Sequence, residues 1–142
     1  IVLSNGENIE PQPLENACLR SPYIDQIMVV GQDQRCLGAL IVPNVDILQN
    51  WAQENDLGLD FSEEKLEKTL EDAKVQKLFR EELNREVKNR PGYRADDRIG
   101  VFKLILEPFS TENGTMTQTL KIKRPVVSER YQDIINGMFV KG

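Results

Sequence analysis

The sequence predicts a small α+β domain in which an N-terminal β-hairpin leads into a roughly three-stranded sheet covered by helices. Three observations predict this fold. The pair Asn5-Gly6 lies between short apolar runs, a pattern typical of a tight hairpin turn. Two apolar runs, residues 24–31 and 36–43, are separated by a short polar segment and predict an antiparallel strand pair. Apolar residues at helical spacing recur over much of the remaining chain.

Two short helices are expected around this strand pair. Pro11 and Pro13 favour a helix start, and the helix is expected to run to about Leu19. Asn44 follows the second strand and is a suitable N-cap for a helix that runs to about residue 54. Between these helices the segment 31–34 predicts a turn, so the first half of the chain alternates helix, hairpin and helix.

A helical elaboration is expected over residues 61–90. Ser62 is a suitable N-cap and is followed by acidic residues, which favour a helix N-terminus. The apolar stripes on the two sides of Asp72 do not join, so we expect a break there. The segment 90–92 ends the helix, and Asp96-Asp97 predicts a surface turn whose ion pairs contribute little to stability.

The last third of the chain predicts a strand, a loop and a final helix. The apolar run 101–106 predicts the third strand, and residues 108–119 predict the loop. Pro125 opens the last helix. Its inner side is expected to consist of the following residues: Val127, Tyr131, Ile134, Ile135 and Met138.

Length and composition are those of one globular domain. The chain has 142 residues, of which 39% are hydrophobic and 29% charged, and its net charge is −5. This acidic balance argues against a general nucleic-acid binder, which usually has a basic face. The chain contains no apolar run near the roughly 18 residues that a membrane-spanning helix needs. A transmembrane segment is therefore not expected, and peripheral contact with a membrane stays open.

The absence of histidine restricts the chemistry that this chain can perform. It excludes a Ser-His-Asp or Cys-His nucleophile and any His-ligated metal, so no metal ligands are expected. Cys18 and Cys36 lack the Cys-x-x-Cys spacing of a metal or redox site. They predict reduced, buried thiols in an intracellular protein, and we expect a cytoplasmic location.

Residues 113–124 form the first candidate site. Asn113-Gly114 permits a tight turn, and three threonines then alternate along the chain before Lys121. If this segment is extended, the hydroxyl groups and the ammonium group lie on one side and form a track for a polyanion. A lysine delivered from a mobile loop suits a phosphate or a carboxylate. The alternative interpretation is a solvated loop with charges that flank a helix.

The N-terminal hairpin is the second candidate site. Gly6 carries no side chain, so its backbone can approach a ligand closely. The alternative is an ordinary surface turn.

Taken together, residues 1–11 and 117–124 resemble the C-terminal domain of the adenylate-forming (AMP-binding) enzyme superfamily. That superfamily includes the acyl- and aryl-CoA synthetases, the luciferases and the adenylation domains of peptide synthetases. Residues 21–31 and 37–42 fit as well, so the resemblance covers nearly the whole chain. The segments 6–9 and 120–124 look most like those of long-chain fatty acyl-CoA or acyl-carrier-protein synthetases.

The resemblance implies a two-step reaction. A fatty acid carboxylate attacks the α-phosphate of ATP, with Mg²⁺, to give an acyl-adenylate, and a thiol of CoA or of acyl carrier protein phosphopantetheine then displaces AMP. Lys121 falls on the lysine that contacts carboxylate and phosphate oxygens in the first step. Gly6 falls on the glycine beside the pantetheine channel, and Asn8 falls where several relatives carry a glutamine that faces the adenylate. The further cofactor-binding residues expected from the resemblance are Glu7, Thr119, Lys123 and Arg124.

The resemblance also implies that residues 1–142 are the mobile small domain of a larger enzyme. The N-terminal domain of that enzyme is expected to hold most of the ATP, Mg²⁺ and fatty acid contacts, and the chain alone is expected to be inactive. Leu3 stands where some relatives carry a lysine. Two alternatives remain: a non-catalytic module that binds a partner, and a luciferase- or peptide-synthetase-like activity. The motif that begins Gly6-Glu7-Asn8 argues against the second alternative.

Overall fold

The computed structural model describes residues 1–140 and has the α+β architecture expected from the sequence. The elements in chain order are α1 (Pro11–Cys18), β1 (Ile24–Val30), β2 (Leu37–Pro43), α2 (Val45–Glu54), α3 (Leu66–Leu70), α4 (Ala73–Lys88), a 3₁₀ turn (Ala95–Asp97), β3 (Ile99–Leu104), α5 (Arg124–Arg130) and α6 (Gln132–Val140). Two short hairpins precede α1 and α5, and each contains one isolated bridge, Val2 with Asn8 and Met116 with Ile122.

The three strands form one mixed sheet in the order β1-β2-β3. β1 pairs with β2 in antiparallel fashion, with Ile27 opposite Ile41. β2 pairs with β3 in parallel, with Ala39 opposite Phe102. All seven residues of the central strand β2 are buried, because helices cover both faces of the sheet. This double coverage explains why β2 is a continuous apolar run.

Each face of the sheet has its own core. On one face, Val29 and Ile41 pack with apolar residues of α1, α2, α3 and α4. On the other face, Met28 and Leu40 pack with Val127 of α5 and with partly buried residues of α6. The second core also includes Phe109, which fixes the loop after β3 to the sheet. The helices α5 and α6 therefore cover one face of the sheet, and α1 to α4 cover the other.

The helical elaboration breaks where the sequence predicts it but begins later. Asp72 is the N-cap of α4, and its carboxylate accepts a hydrogen bond from the Lys74 N–H at 2.9 Å. The predicted start at Ser62 is wrong, because α3 begins at Leu66. The Ser62 N–H instead donates to Asp60 Oδ1 at 2.8 Å, a local side-chain bond that competes with helix formation.

Two further boundaries differ from the sequence expectation. β3 covers Ile99–Leu104 rather than residues 101–106, and Leu106 is exposed because the chain has left the sheet. The final helix is divided at Tyr131 into α5 and α6. The predicted inner residues of these helices pack against the second core, except Ile134, which is exposed.

The turn at Asp96-Asp97 is not the simple surface turn that was expected. Asp97 is buried, and its Oδ2 accepts hydrogen bonds from the Arg94 backbone N–H at 3.0 Å and from Arg90 Nη1 at 3.2 Å. A buried carboxylate with such partners fixes the approach to β3. The sequence showed only adjacent charges and gave no sign of which carboxylate turns inward.

Candidate functional site

The two candidate sites are hairpins with the same backbone pattern. We call residues 2–8 the N-terminal hairpin and residues 116–122 the lysine hairpin. In the N-terminal hairpin, the Leu3 N–H donates to the Glu7 carbonyl at 2.9 Å, and the Gly6 N–H donates to the Leu3 carbonyl at 2.9 Å. This is the pattern of a type I turn followed by one residue in the left-handed region.

The lysine hairpin repeats these bonds at equivalent positions. The Thr117 N–H donates to the Lys121 carbonyl at 2.8 Å, and the Leu120 N–H donates to the Thr117 carbonyl at 2.9 Å. Leu120 therefore corresponds to Gly6, and Lys121 corresponds to Glu7. The Lys121 N–H also donates to Thr117 Oγ1 at 3.1 Å, which closes the turn below the lysine.

The left-handed position of the two hairpins holds different residues. Gly6 has φ of 89°, a region that glycine enters without steric cost. Leu120 has φ of 63°, a region that costs a non-glycine residue roughly 1–2 kcal/mol. Two aspartates of the described chain also have positive φ, but aspartate can offset the cost through local hydrogen bonds, and leucine cannot. The Leu120 side chain is also 70% exposed, so burial within residues 1–140 does not offset this cost.

The loop before the lysine hairpin is fastened by hydrogen bonds. Asn113 Nδ2 donates to Glu107 Oε2 at 2.9 Å and to the Pro108 carbonyl at 2.8 Å. Asn113 Oδ1 accepts from the Ser110 and Thr115 backbone N–H groups at 3.3 and 3.1 Å. These bonds join both sides of the loop, and the mobility expected from the sequence stays a prediction.

The predicted track of alternating hydroxyl groups does not form. Thr115 is buried, with 1% of its surface exposed, and its Oγ1 accepts a hydrogen bond from the Ser110 N–H at 2.9 Å. The Thr117 and Thr119 hydroxyls instead contact each other at 3.0 Å within the turn. The expectation failed because residues 117–121 are folded into a turn, whereas alternation along one side requires an extended chain.

Gln26 of β1 connects the loop to the sheet. Its Oε1 accepts a hydrogen bond from the Phe109 N–H at 2.7 Å, and its Nε2 donates to the Phe109 carbonyl at 3.0 Å. The side-chain amide of Gln26 thus bonds both backbone groups of Phe109, as a residue of a neighbouring strand would. The lysine hairpin is thereby held near the beginning of β1.

Arg124 fixes the other end of the lysine hairpin. Its Nη1 donates to Glu15 Oε2 at 2.8 Å, and its Nη2 contacts Glu15 Oε1, so the pair is bidentate. Glu15 is 6% exposed, and its Oε2 also accepts the Val29 backbone N–H at 2.8 Å. This group of three joins α5, α1 and β1. Arg124, expected among the cofactor-binding residues, therefore already holds a carboxylate.

The remaining predicted residues of the lysine hairpin lie at the surface. Lys121, Lys123 and Thr119 are exposed. Within residues 1–140, neither ammonium group makes a hydrogen bond or an ion pair. Lys121 borders a cleft of about 430 Å³ whose other walls include Leu19, Ile27 and Leu120. The cleft is mixed, because the carboxylates of Glu15 and Asp25 also line it. The hairpin thus offers an unpaired positive charge beside the exposed side chain of Leu120, which suits an anion with an apolar part.

The predicted residues of the N-terminal hairpin lie together on its surface. A Cβ built on Gly6 would meet no atom within 4 Å, so the glycine lies in open space. Glu7 Oε2 accepts a hydrogen bond from Arg94 Nη1 at 3.1 Å, and the Asn8 carbonyl accepts one from Arg94 Nη2 at 3.4 Å. The Asn8 side chain is exposed and free to turn towards a ligand.

The two hairpins lie at opposite ends of β1. The lysine hairpin is attached through Gln26, whereas the N-terminal hairpin bonds to residues just after β1, where the Ser4 N–H donates to the Gln34 carbonyl at 2.9 Å. The part of β1 between these attachments, from Gln26 to Val30, spans about 13 Å at about 3.3 Å per residue. The structure therefore groups the predicted residues into two separate sites.

Three residues that shape these sites were missed at the sequence level. Glu15 breaks the apolar face of α1, and Gln26 breaks the apolar run of β1. A polar residue in such a position is a signal for a specific buried partner. Leu120 gave no sequence signal, because its positive φ depends on hydrogen bonds within the turn.

The other candidate chemistries find little support in the described chain. Cys18 and Cys36 are free; Cys18 is buried as expected, whereas Cys36 is only partly buried. Burial raises the pKa of the Cys18 thiol to about 12, with the carboxylates of Glu86 and Glu15 acting in the same direction. Within residues 1–140 there is no group of three or more His, Cys, Asp or Glu side chains arranged for a metal ion. None of the helices over the same residues is both long and apolar enough to cross a membrane.

Comparison with known proteins assigns this chain to a family. The model of the AMP-binding enzyme C-terminal domain matches residues 1–142. The chain belongs to this family.

Long-chain fatty acid ligases are among its relatives. The chloroplastic long-chain-fatty-acid–acyl-carrier-protein ligase AEE15 of Arabidopsis thaliana is 36% identical over 139 residues, which cover 98% of this chain and 16% of that protein. Long-chain-fatty-acid–CoA ligase 1 of Homo sapiens is 33% identical over 138 residues, which cover 96% of this chain and 19% of that protein. The chain therefore spans less than a fifth of the length of these curated relatives.

A solved structure shares the fold. The adenylation domain of a carboxylic acid reductase from Segniliparus rugosus, in complex with AMP and a co-purified carboxylic acid, matches with a TM-score of 0.78 at 25% identity. The match covers 99% of this chain and 20% of that chain. The arrangement of helices and strands described above is therefore that of the C-terminal part of an adenylation domain.

Proposed function

We propose that this chain is the small mobile domain of a long-chain fatty acid ligase that forms an acyl-adenylate from a fatty acid and ATP and then transfers the acyl group to a thiol. The observation that carries the proposal is the unpaired ammonium group of Lys121 at the surface of a fastened hairpin. The family match and the relatives named above support the reaction class. In this account, a large N-terminal domain of the same enzyme supplies the remaining contacts.

Lys121 would act in the adenylation step. A carboxylate must approach an α-phosphate, and both groups are negatively charged. An ammonium group between them offsets this repulsion, and a preorganised donor of this kind contributes roughly 3–4 kcal/mol to the transition state. Thr119 and Lys123 flank Lys121 and would contact phosphate oxygens. Mg²⁺ would further neutralise the phosphates. Its ligands would lie outside residues 1–140, because no metal-binding group is found within them.

Arg124 would assist indirectly in this arrangement. Because its guanidinium group is bound to Glu15, it fixes the base of the lysine hairpin and leaves Lys121 as the freer cation. An additional direct contact of Arg124 with a phosphate would use its remaining donors, since the side chain stays about a third exposed.

The N-terminal hairpin would act in the thioester step. Gly6 leaves open space beside its backbone, which suits the approach of a narrow phosphopantetheine arm. Glu7 and Asn8 follow directly and would contact the arm or the adenylate. Because the two hairpins are attached at opposite ends of β1, they would enter one active site in turn, through rotation of this domain.

The experiment that tests the proposal is fatty-acid-dependent ATP–pyrophosphate exchange with the full-length parent enzyme. The variant Lys121→Ala should reduce exchange about 100- to 1000-fold. Lys74→Ala is the matched control, because Lys74 is an exposed lysine on α4 outside both hairpins. Absence of exchange with every fatty acid tested would overturn the adenylating function and favour a non-catalytic module that binds a partner.

Acyl carrier protein is the second candidate acceptor besides CoA. It is a candidate because an acyl-carrier-protein ligase of Arabidopsis thaliana, at 36% identity, is among the relatives beside the human CoA ligase, at 33%. A parallel assay of thioester formation with CoA and with pantetheine-loaded acyl carrier protein distinguishes the two acceptors.

A further inference from the structure

We propose that Leu120 is a positioning residue, whose exposed side chain packs against the large domain of the parent enzyme when Lys121 enters the active site. The inference rests on the proposed function, since it concerns the adenylation step. It begins from a cost that the described chain does not offset. Leu120 has a positive φ of 63°, and its side chain is 70% exposed.

The N-terminal hairpin shows that this backbone does not require a leucine. Its equivalent hydrogen bonds are formed around Gly6, which takes the same left-handed region without steric cost. A leucine in the lysine hairpin is therefore a more costly choice for the turn alone. What it adds to the turn is an apolar side chain directly before Lys121.

Leu120 has apolar neighbours beside the cation, in a cleft that polar residues such as Gln12 and Asp25 also line. Leu19, at the end of α1, is 44% exposed, and Leu120 and Leu19 border the same cleft as Lys121. Partly buried Met116 and Ile122 of the lysine hairpin line this cleft as well. An exposed apolar group next to an unpaired ammonium suits contact with a surface that is apolar around an anionic centre.

The large domain is the occupant that fits best. The match covers only 16% and 19% of these relatives, so most of each polypeptide lies outside the matched region. A contact made only in the closed enzyme would hold the lysine in place at the moment of reaction. Such a contact raises kcat for adenylation and leaves the thioester step unaffected, because the lysine hairpin has then left the site.

The test compares substitutions at Leu120 in the full-length parent enzyme. Leu120→Gly and Leu120→Asn both tolerate positive φ but lack the apolar side chain, whereas Leu120→Met keeps apolar bulk. Leu106→Asn is the matched control, because Leu106 is 42% exposed and lies outside both hairpins. Two rates are measured: fatty-acid-dependent ATP–pyrophosphate exchange, and thioester formation from supplied acyl-adenylate.

We expect Leu120→Gly and Leu120→Asn to lower kcat for exchange about tenfold or more, the loss that corresponds to one unburied leucine side chain. Leu120→Met and Leu106→Asn should stay within about twofold of wild type, and thioester formation should be unchanged in all variants.

Three results overturn the proposal while the parent enzyme remains active. Wild-type exchange in the glycine and asparagine variants means that the side chain makes no contact that matters. Equal losses in both half-reactions mean general damage. A rise in KM that occurs only with long acyl chains means that Leu120 contacts the substrate. Failure of the proposed function is distinguishable, because the wild-type parent then shows no exchange at all.

Discussion

The two hairpins share a hydrogen-bond pattern and differ in what each presents to its surroundings. The N-terminal hairpin has Gly6 at the left-handed position and Glu7 after it, whereas the lysine hairpin has Leu120 and then Lys121. The N-terminal hairpin has no side chain at the left-handed position, whereas the lysine hairpin has an apolar side chain at that position and a cation directly after it. The same hydrogen-bond pattern can therefore leave open space beside a glycine in one hairpin and present a side chain for contact in the other.

The two hairpins are also anchored differently. The base of the lysine hairpin is held by the bidentate pair of Arg124 with the buried carboxylate of Glu15. The N-terminal hairpin, besides its backbone bond from Ser4 to Gln34, has an ion pair of Glu7 with Arg94, and both side chains of that pair are about half exposed. Since buried ion pairs are costly to break and exposed pairs contribute little, the two anchors should respond very differently to mutation.

The largest effect on stability is expected from Arg124→Ala. The substitution leaves Glu15 buried without its charged partner, so the free energy of unfolding should fall by about 3 kcal/mol. Urea unfolding of the chain measures the change. Arg124→Lys is the control that keeps the charge but loses the bidentate geometry, and it should have a smaller effect. A loss below about 1 kcal/mol for Arg124→Ala would show that the pair is not an anchor.

Gly6→Leu should have the next largest effect, because it gives the N-terminal hairpin the residue type found in the lysine hairpin. A leucine in the left-handed region should lower the free energy of unfolding by about 1–2 kcal/mol. Space is not the cause, since a Cβ at Gly6 would meet no atom within 4 Å. Gly6→Asn, measured by the same urea titration, should cost less. Equal stability of the leucine variant and the wild type would refute the strain argument.

Leu120→Gly is the reverse exchange and should be mildly stabilising. It removes the cost of a positive φ for leucine, but it increases the conformational entropy of the unfolded chain. The net gain should be about 0.5–1 kcal/mol in the free energy of unfolding. A more stable variant with slower adenylation would indicate that the leucine is retained for function. Destabilisation by more than about 1 kcal/mol would contradict this and point to a packing role within the domain.

The smallest effect is expected from Glu7→Gln. It removes the exposed ion pair with Arg94, so the free energy of unfolding should change by less than about 0.5 kcal/mol. The difference from wild type should shrink further as salt is added. A loss above about 1 kcal/mol, or no response to salt, would mean that the Glu7–Arg94 pair contributes more than an exposed ion pair does.

Much of the fold could be predicted because its signals are local. The apolar runs predicted β1 and β2, and the mismatch of apolar stripes at Asp72 predicted the start of α4. The errors at Ser62 and Leu106 arose where a local rule met a competing contact. Asp60 accepts a hydrogen bond from the N–H of Ser62, and the chain leaves the sheet before Leu106.

The candidate sites were less accessible to sequence reasoning, because their geometry depends on long-range contacts. The partners Glu15 and Arg124 are 109 positions apart, so the sequence could not show that this arginine is already paired. Likewise, Gln26 meets Phe109 across 83 positions. The positive φ of Leu120 depends on the turn around it. The position and charge of Lys121 were nevertheless evident from the sequence, because a surface lysine needs no distant partner.

The central claim is that the two hairpins serve different half-reactions, and the most direct test measures both half-reactions on Lys121→Ala and Gly6→Leu in the parent enzyme. Lys121→Ala should reduce adenylation about 100- to 1000-fold and largely spare thioester formation from supplied acyl-adenylate. Gly6→Leu should slow thioester formation and largely spare adenylation, because its side chain obstructs only the thiol. If both variants lose the same half-reaction, the two hairpins do not divide the chemistry and the account is wrong.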